Sequence, residues 1–346
     1  MKKNNPFTLT FGRQPAEYIN RYENTYAIIS TFEADNPVSQ AYLIEGIRGS
    51  GKTVLMTKVE HELAGKGDWV TVDLNATCEL LSDLAMRLGN EQKKPSAKLK
   101  SGFSVTIGGF GVGINGEETQ NDIAVIEGFL SSAQKKKKKV LITIDEVCHD
   151  SNMKRFASEF QLLVRKNYPV YLLMTGLYEN INALQNDPAL TFLLRTPKIT
   201  LEPLSINQIT KQYGKTLAVD EKTARSLAGI TKGYAFAFQA LGLLYFEQGK
   251  NMPLDDILST LDDMLDDFVY KKIWSSLTDQ EKRIMQILDD SPMKVKTICD
   301  TLGMQASTFS KYREKLIKKG ILETTGHGYV ACVLPRFSNV IASYAP

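Results

Sequence analysis

The chain has 346 residues, of which 43% are hydrophobic and 23% charged, and a formal net charge of +3. These values are ordinary for a globular protein with two or three domains, and so small a charge indicates no particular partner. The four cysteines are far apart and lack metal-ligand spacing, which predicts a reducing, cytoplasmic setting without a structural metal. We expect neither a signal peptide nor a membrane span.

Short apolar runs separated by helical patterns dominate the first two hundred residues. The runs cover residues 41–44, 69–74, 140–144, 170–174 and 199–201. This alternation predicts an α/β fold, a P-loop NTPase parallel sheet with helices on both faces. The core would span residues 1–204, followed by a helical lid at 205–270 and a winged-helix domain at 271–346.

The stretch "LIEGIRGSGKTVL" carries the phosphate-binding loop pattern between a predicted strand and a predicted helix. Glycines let backbone N–H groups approach an anion closely, and the following helix directs its dipole at the phosphates. Lys52 would reach the β- and γ-phosphates, and the Thr53 hydroxyl would bind Mg²⁺. The alternative is a glycine-rich turn that contains Lys-Thr by chance. The predicted nucleotide-binding residues of this loop are Gly46, Gly49, Ser50, Gly51, Lys52 and Thr53.

Residues 95–120 are interpreted as an insertion that forms a β-hairpin. Apolar residues alternate in 103–107 and 110–114, and Gly108-Gly109 could form the turn. Residues 111–116 also match the dinucleotide fingerprint GxGxxG. Because these glycines lie within a strand pattern, we favour the hairpin over a dinucleotide site.

A second phosphate-site signal is "VLITIDEV", a buried strand that ends in Asp145 and Glu146. Asp145 would hold Mg²⁺ through water, and Glu146 would act as the general base. Thr175 ends the next strand, where its hydroxyl could sense the γ-phosphate or align the attacking water, or merely cap a turn. Arg195 could reach the γ-phosphate of a neighbouring subunit, or be a surface residue at a helix terminus.

Two charged segments are interpreted as solvated surface. Residues 253–268, "PLDDILSTLDDMLDDF", place six aspartates on a helix whose other face is apolar. The five lysines at 135–139 precede a buried strand, and we favour a solubilising role for them over a polyanion contact.

The C-terminal residues 271–346 contain twelve lysines and arginines against seven aspartates and glutamates. Three amphipathic helices, the second ending at Gly303 and the third at Gly320, precede two strands around Gly326-His327-Gly328, which predicts a winged helix. The third helix would read double-stranded DNA, with base contacts near its start and phosphate contacts further along. Protein docking is the alternative. The predicted DNA-binding residues are Ser307, Thr308, Lys311, Arg313 and Lys315.

Together these motifs resemble the AAA+ and signal-transduction P-loop ATPases, and most closely the archaeal-ATPase and origin-initiator-like group. The resemblance implies that the segment "NPFTLTFGRQPAEYINR" frames adenine, with Arg21 as the matching arginine. It also identifies "GYAFAFQALG" as similar to the lid motif. Here Ala235 replaces the usual proline and the helix lacks the usual sensing arginine, which favours slow turnover.

The sequence therefore predicts an ATP-binding, Mg²⁺-dependent AAA+-like ATPase whose nucleotide state controls a DNA-binding winged helix. ATP and ADP are the expected ligands, and a homo-oligomer with Arg195 acting in trans is a further expectation. The alternative is a nucleotide-dependent signalling switch whose winged helix docks protein, with slow or no hydrolysis.

Overall fold

Buried strands of the first two hundred residues form one parallel sheet in the order β2-β3-β4-β1-β5. The computed structural model describes residues 4–10, 15–93, 116–249 and 251–344, and side chains at 92–93 and 116–120 are not described. Each predicted apolar run is a strand, which confirms the predicted fold class. The strands are β1 (Ala41–Glu45), β2 (Trp69–Leu74), β3 (Lys139–Ile144), β4 (Val170–Gly176) and β5 (Lys198–Thr200).

Helices cover both faces of this sheet, as predicted. Alternate residues of each strand enter two separate cores: Leu43 lies on the face covered by α3, α4 and α5, and Ile44 on the face covered by α1 and α2. The predicted hairpin at 103–114 lies outside the described residues. The helices are α1 (Tyr22–Glu33), α2 (Lys52–Ala64), α3 (Leu80–Lys93), α4 (Gly116–Lys135), α5 (Ser151–Arg165) and α6 (Tyr178–Gln185).

The remainder of the chain is helical up to a small antiparallel sheet, whose strand order is β6-β8-β7. No helix in the described residues is long and apolar enough to cross a bilayer. The lid helices are α7 (Ile206–Tyr213), α8 (Glu221–Ile230), α9 (Ala235–Gln248) and α10 (Leu254–Leu265), and α11 (Lys271–Ser275) begins the winged-helix domain. The winged-helix elements are α12 (Asp279–Ile287), β6 (Met293–Lys294), α13 (Val295–Leu302), α14 (Ala306–Lys318), β7 (Leu322–Gly326), β8 (Tyr329–Cys332) and α15 (Phe337–Ile341).

The lid and the winged helix share one hydrophobic core that is separate from the two sheet cores. Polar contacts reinforce the join: Arg336 donates to both carboxylate oxygens of Asp262, at 2.5 and 2.6 Å, and Tyr344 donates to Asp266. The sequence suggested that the acidic face of the segment 253–268 is solvated, but part of it contacts the C-terminal residues. Two of the aspartates in this segment hold the C-terminal residues against the lid.

The lysine run at 135–139 also does more than solubilise the chain. Lys139 begins β3, and its Nζ lies 5.2 Å from the Trp69 ring centroid and 5.6 Å from the Tyr171 ring centroid. The same ammonium donates a 2.9 Å hydrogen bond to the Phe32 carbonyl near the end of α1. A cation is favourable both over aromatic faces and at a helix C-terminus, so Lys139 ties α1 to the sheet.

The amino-terminal segment packs on the lid. Phe7 is 2% exposed, and its ring meets those of Tyr213 and Phe238 edge-on, with centroids 5.9 and 5.7 Å away. Gly242 of α9 makes room for it, because a Cβ at that position would stand 2.6 Å from the Phe7 ring. Phe7 is thus the apolar anchor of the segment preceding α1, which also makes hydrogen bonds to α9.

We expect Phe7→Ala to lower the free energy of unfolding by about 3–5 kcal/mol, since it leaves a cavity between two aromatic rings. Chemical denaturation followed by circular dichroism measures this change. Phe268→Ala is the control, because that ring is 60% exposed and should cost much less. Equal losses for the two variants would contradict the anchoring role of Phe7.

Candidate functional site

The parallel register brings three chain segments together at the carboxyl edge of the sheet. Ile44 of β1 pairs with Thr175 of β4, so the loop that follows β1 begins beside that threonine. Asp145 follows β3, the strand on the other side of β4. Residues predicted separately from distant motifs therefore meet at one place.

The loop after β1 presents its carbonyl groups to the protein. Gly46 and Ile47 carbonyls accept from Lys52 Nζ at 3.0 Å, and the Ser50 carbonyl accepts from Arg21 at 3.2 Å. The Arg48 and Gly49 carbonyls accept from residues of the lid, described below. The Ser50 N–H donates to the Ile47 carbonyl at 3.2 Å, and the other loop N–H groups near the start of α2 could bind an anion.

Three local features suit this loop to a phosphate. Gly49 and Gly51 have φ angles of 76° and 93°, which residues with side chains rarely adopt. A Cβ at Gly46 would lie only 2.7 Å from Ser50 Oγ. Within the described part of the chain, Ser50 Oγ is buried without a hydrogen-bond partner, so it can donate to a bound group.

Lys52 is the buried cation of the site. Its side chain is almost inaccessible, and burial lowers its pKa to about 8, although the negative charges of Asp145 and Glu146 oppose the shift. An amine in this environment gains from a polyanionic ligand, which would restore the favourable charge state.

A hydroxyl and a carboxylate converge beside Lys52. Thr53 Oγ1 donates to Asp145 Oδ2 at 2.6 Å, and the buried Thr175 hydroxyl donates to Asp145 Oδ1. Hard oxygen donors of this kind fit Mg²⁺, which takes few protein ligands and completes its shell with water and phosphate. The residues present therefore suit the metal predicted from the sequence.

Glu146 is held in an unusual backbone conformation. Its φ of 55° is in the left-handed region, and its N–H donates to Asp145 Oδ1 at 3.0 Å and to Thr175 Oγ1 at 3.3 Å. Its carboxylate is half exposed and lies 3.4 Å from the Arg48 guanidinium. Strain of this type costs about 1–3 kcal/mol and is frequent at functional sites.

A cavity of about 370 Å³ extends from the loop to the amino-terminal segment and the lid. Arg21 lines it, and burial lowers the pKa of this arginine against the opposing charge of Glu202. Gln239 of α9 closes the far side: it accepts from the Thr8 N–H at 3.2 Å and donates to the Glu17 carbonyl at 2.6 Å. Because the cavity lies beside the phosphate loop, it is a candidate site for a nucleotide base.

The start of α9 touches the phosphate loop directly, a contact that the sequence did not predict. Tyr234 donates its hydroxyl to the Arg48 carbonyl at 2.5 Å, and the Phe236 N–H donates to the Gly49 carbonyl at 3.1 Å. A Cβ at Gly49 would collide with the Tyr234 hydroxyl. In the sequence, the aromatic residues of the lid-like motif at 233–242 are the signal for this contact.

Arg195 does not join this site in its own chain. It is exposed and ends the segment Pro188–Arg195, just before β5 begins. Because β5 is parallel to β1, Arg195 lies at the amino edge of the sheet, opposite the phosphate loop. A role in a neighbouring subunit's site stays a prediction.

The predicted DNA-binding residues are distributed along α14. Ser307, Thr308 and Lys311 are exposed near its start, and Arg313 is half-buried. Lys315 Nζ lies 3.3 Å from the buried Glu281 carboxylate, although the lysine remains 48% exposed. The first half of the helix is therefore the part most open to a ligand.

Comparisons with known proteins match this architecture. Residues 267–341 match the family described as Domain of unknown function (DUF8462), and no curated protein matches the sequence. The structure of the Aeropyrum pernix ORC2 protein in its ADPNP-ADP complexes has a TM-score of 0.63 at 11% identity, over 99% of this chain and 97% of that one.

Two further structures share the fold over nearly the full length. The ADP form of the same ORC2 protein has a TM-score of 0.53 at 10% identity, covering 97% of each chain. Cdc6p from Pyrobaculum aerophilum has a TM-score of 0.50 at 15% identity, covering 96% of each chain. At such identities the likeness shows the fold alone: this chain has the fold of the ORC and Cdc6 AAA+ ATPases, including their C-terminal winged helix.

Proposed function

We propose that the protein is a Mg²⁺-dependent ATPase whose nucleotide state controls a DNA-binding winged helix. The observation that carries the proposal is the cluster of Lys52, Thr53, Asp145 and Thr175 at one sheet edge, beside a glycine loop whose carbonyl groups are engaged by the protein. The ORC2 protein of similar fold was solved with ADPNP and ADP, which supports a nucleotide as the ligand.

The loop and α2 would hold the phosphates, with Lys52 moving from the carbonyls of Gly46 and Ile47 to phosphate oxygens. Thr53 and Asp145 would hold Mg²⁺, which neutralises charge on the phosphates when bound. The base would occupy the cavity between Arg21 and Gln239. Each of these side chains already lines the cavity.

Hydrolysis would depend on Glu146. Its carboxylate would accept a proton from water as the water oxygen attacks the γ-phosphorus and the bond to the bridging oxygen breaks. Thr175 orients this region, because its hydroxyl contacts both Asp145 and the Glu146 N–H. Arg195 would contribute only from a neighbouring subunit.

The winged helix would bind double-stranded DNA through the exposed first half of α14. Ser307 and Thr308 would contact bases, while Lys311, Arg313 and Lys315 would contact phosphates. Because Lys315 also pairs with Glu281, we assign the larger share of phosphate binding to Lys311 and Arg313.

One observation favours a second candidate, a switch that binds nucleotide, docks protein and hydrolyses slowly or not at all. The lid helix α9 contains no arginine, and it contacts the loop through Tyr234 and the Phe236 backbone. Helix α9 therefore supplies no positive charge of its own to a γ-phosphate. Measured turnover separates the two candidates.

Affinity for Mg-ATP should fall as pH rises above about 8, approaching tenfold per pH unit. Lys52 loses its proton in the free protein near that pH, whereas bound phosphates would raise its pKa, so binding takes up a proton. Calorimetric titrations from pH 7 to 9.5, in buffers of different ionisation enthalpy, measure both effects.

Lys52→Ala should abolish most of the binding and remove the pH dependence that remains. Lys66→Ala is the control: Lys66 follows the far end of α2, and this variant should bind ATP like wild type. Undiminished affinity in a correctly folded Lys52→Ala protein would refute the phosphate-site assignment.

Glu146→Gln should keep ATP binding and lower kcat about 10²–10⁴-fold, because the amide preserves shape but cannot accept the proton. A coupled phosphate-release assay measures the turnover. Glu79→Gln is a matched control, since Glu79 is similarly exposed and also pairs with a surface arginine, Arg155. Wild-type protein that shows no turnover, with or without DNA, would favour the switch instead.

Binding of the full-length protein to duplex DNA should weaken steeply with salt, with a log–log slope of about −0.9 per phosphate contact. Replacing Lys311 and Arg313 by alanine should flatten that slope, as fluorescence anisotropy can measure. Removing Lys222 and Arg225, exposed on α8, makes the same charge change elsewhere and should have little effect. Equal effects from both double variants would favour the protein-docking alternative.

A further inference from the structure

The C-terminal end of α14 is fixed to the ATPase core by a buried lysine. Lys319 is 6% exposed, and its Nζ lies 3.3 Å from Glu281 of α12 and 3.2 Å from Glu179 of α6. The first carboxylate belongs to the winged helix and the second to the core. One ammonium group therefore joins the two parts of the molecule.

The winged-helix side of this cluster is buried and hydrogen-bonded. Glu281 is fully buried and accepts from the Thr278 N–H at 2.8 Å, as part of the capping box that begins α12. Burial raises the pKa of Glu281, but the Thr278 N–H and the charge of Lys319 outweigh it, so the net shift is downward. Removing one partner of this buried pair would be destabilising, because the other partner would lose an opposite charge 3.3 Å away.

The residue that follows Lys319 lies against the phosphate loop. Gly320 has a φ of 74° and ends α14, and a Cβ there would stand 3.7 Å from Ile47 Cβ. The Ile47 carbonyl is one of the two that accept from Lys52 Nζ, at 3.0 Å. Ile47 therefore lies between the end of α14 and Lys52, and contacts both.

Lid and winged helix would respond together to a change in this loop. They share one hydrophobic core. The lid also donates hydrogen bonds to the loop, from Tyr234 to the Arg48 carbonyl and from Phe236 to the Gly49 carbonyl. Together with Gly320 at Ile47, three consecutive loop residues contact this body. A shift of the loop backbone must either move that body or break these contacts.

We propose that Lys319 is a latch: through Glu179 it holds the winged helix on the phosphate loop, and thereby couples nucleotide binding to DNA binding. Lys311, at the exposed end of the same helix, is about 12 Å away at 1.5 Å per residue, so a rigid α14 links the two sites. The coupling half of this proposal rests on the proposed function, whereas the latch itself does not.

Glu179, on the core side of the latch, is the residue to substitute, because changing it leaves the interior of the winged helix intact. Replacing Lys319 would leave the buried Glu281 with only the half-exposed Lys315 as its cation, which would destabilise the winged helix itself. Glu179→Lys leaves the Lys319–Glu281 pair intact and sets two cations against each other, and Glu179→Gln is the milder version. Glu221→Lys, at the exposed first turn of α8, makes the same charge change away from the latch.

Hydrogen exchange of the full chain, without nucleotide or DNA, tests the latch. Backbone amides at 45–50 and 316–321 should lose protection in Glu179→Lys, less so in Glu179→Gln, and not in Glu221→Lys. The core strands should keep their protection in all variants. Unchanged exchange at 316–321 in Glu179→Lys would overturn the latch.

DNA affinity measured with and without Mg-ATP tests the coupling. In wild type and Glu221→Lys, nucleotide should change DNA affinity about fivefold or more, and DNA should change ATP affinity by the same factor. In Glu179→Lys the factor should approach one while both ligands still bind. A wild-type factor of one, or an unchanged factor in Glu179→Lys, overturns the coupling. Failure of wild type to bind either ligand refutes the proposed function, and hydrogen exchange still decides the latch.

Discussion

The parallel alignment of β1, β3 and β4 is the constraint on which the site depends. It places Asp145 where the hydroxyls of Thr53 and Thr175 donate to its two carboxylate oxygens. One carboxylate thereby connects the start of α2 to the ends of two strands. Because these strands are buried on both faces, a one-residue slip in register would move side chains from one core into the other, and this constraint also fixes the geometry of the cluster.

The phosphate loop is the place where the rest of the molecule converges. Its carbonyls from residue 46 to residue 50 accept hydrogen bonds from Lys52, Tyr234, Phe236 and Arg21. Donors from α2, the lid and the amino-terminal segment therefore orient one short backbone segment. These donors hold the loop by its carbonyl groups. Contacts on that face of the loop thereby orient the N–H groups on the other face, where an anion could bind.

The lid and the winged helix act as one body because burial, rather than connectivity alone, joins them. Their common apolar core is reinforced by the Asp262–Arg336 pair, whose two parallel hydrogen bonds favour a single geometry. The lid reaches the loop with an aromatic hydroxyl and a backbone amide in place of an arginine. The lid thus contacts the loop through uncharged groups, whereas the charged side chains beside the loop, Lys52, Asp145 and Glu146, belong to the core.

The sequence by itself determined the elements whose signals are local. Glycine spacing defines the loop, apolar runs define five strands, and periodicity with Gly303 and Gly320 defines the winged helix, because backbone conformation and burial pattern act over a few residues. Only the tertiary structure decided the contacts between Tyr234 and Arg48, Asp262 and Arg336, and Lys319 and Glu179. Each joins side chains far apart in the chain, and pairing of that kind depends on how the cores pack.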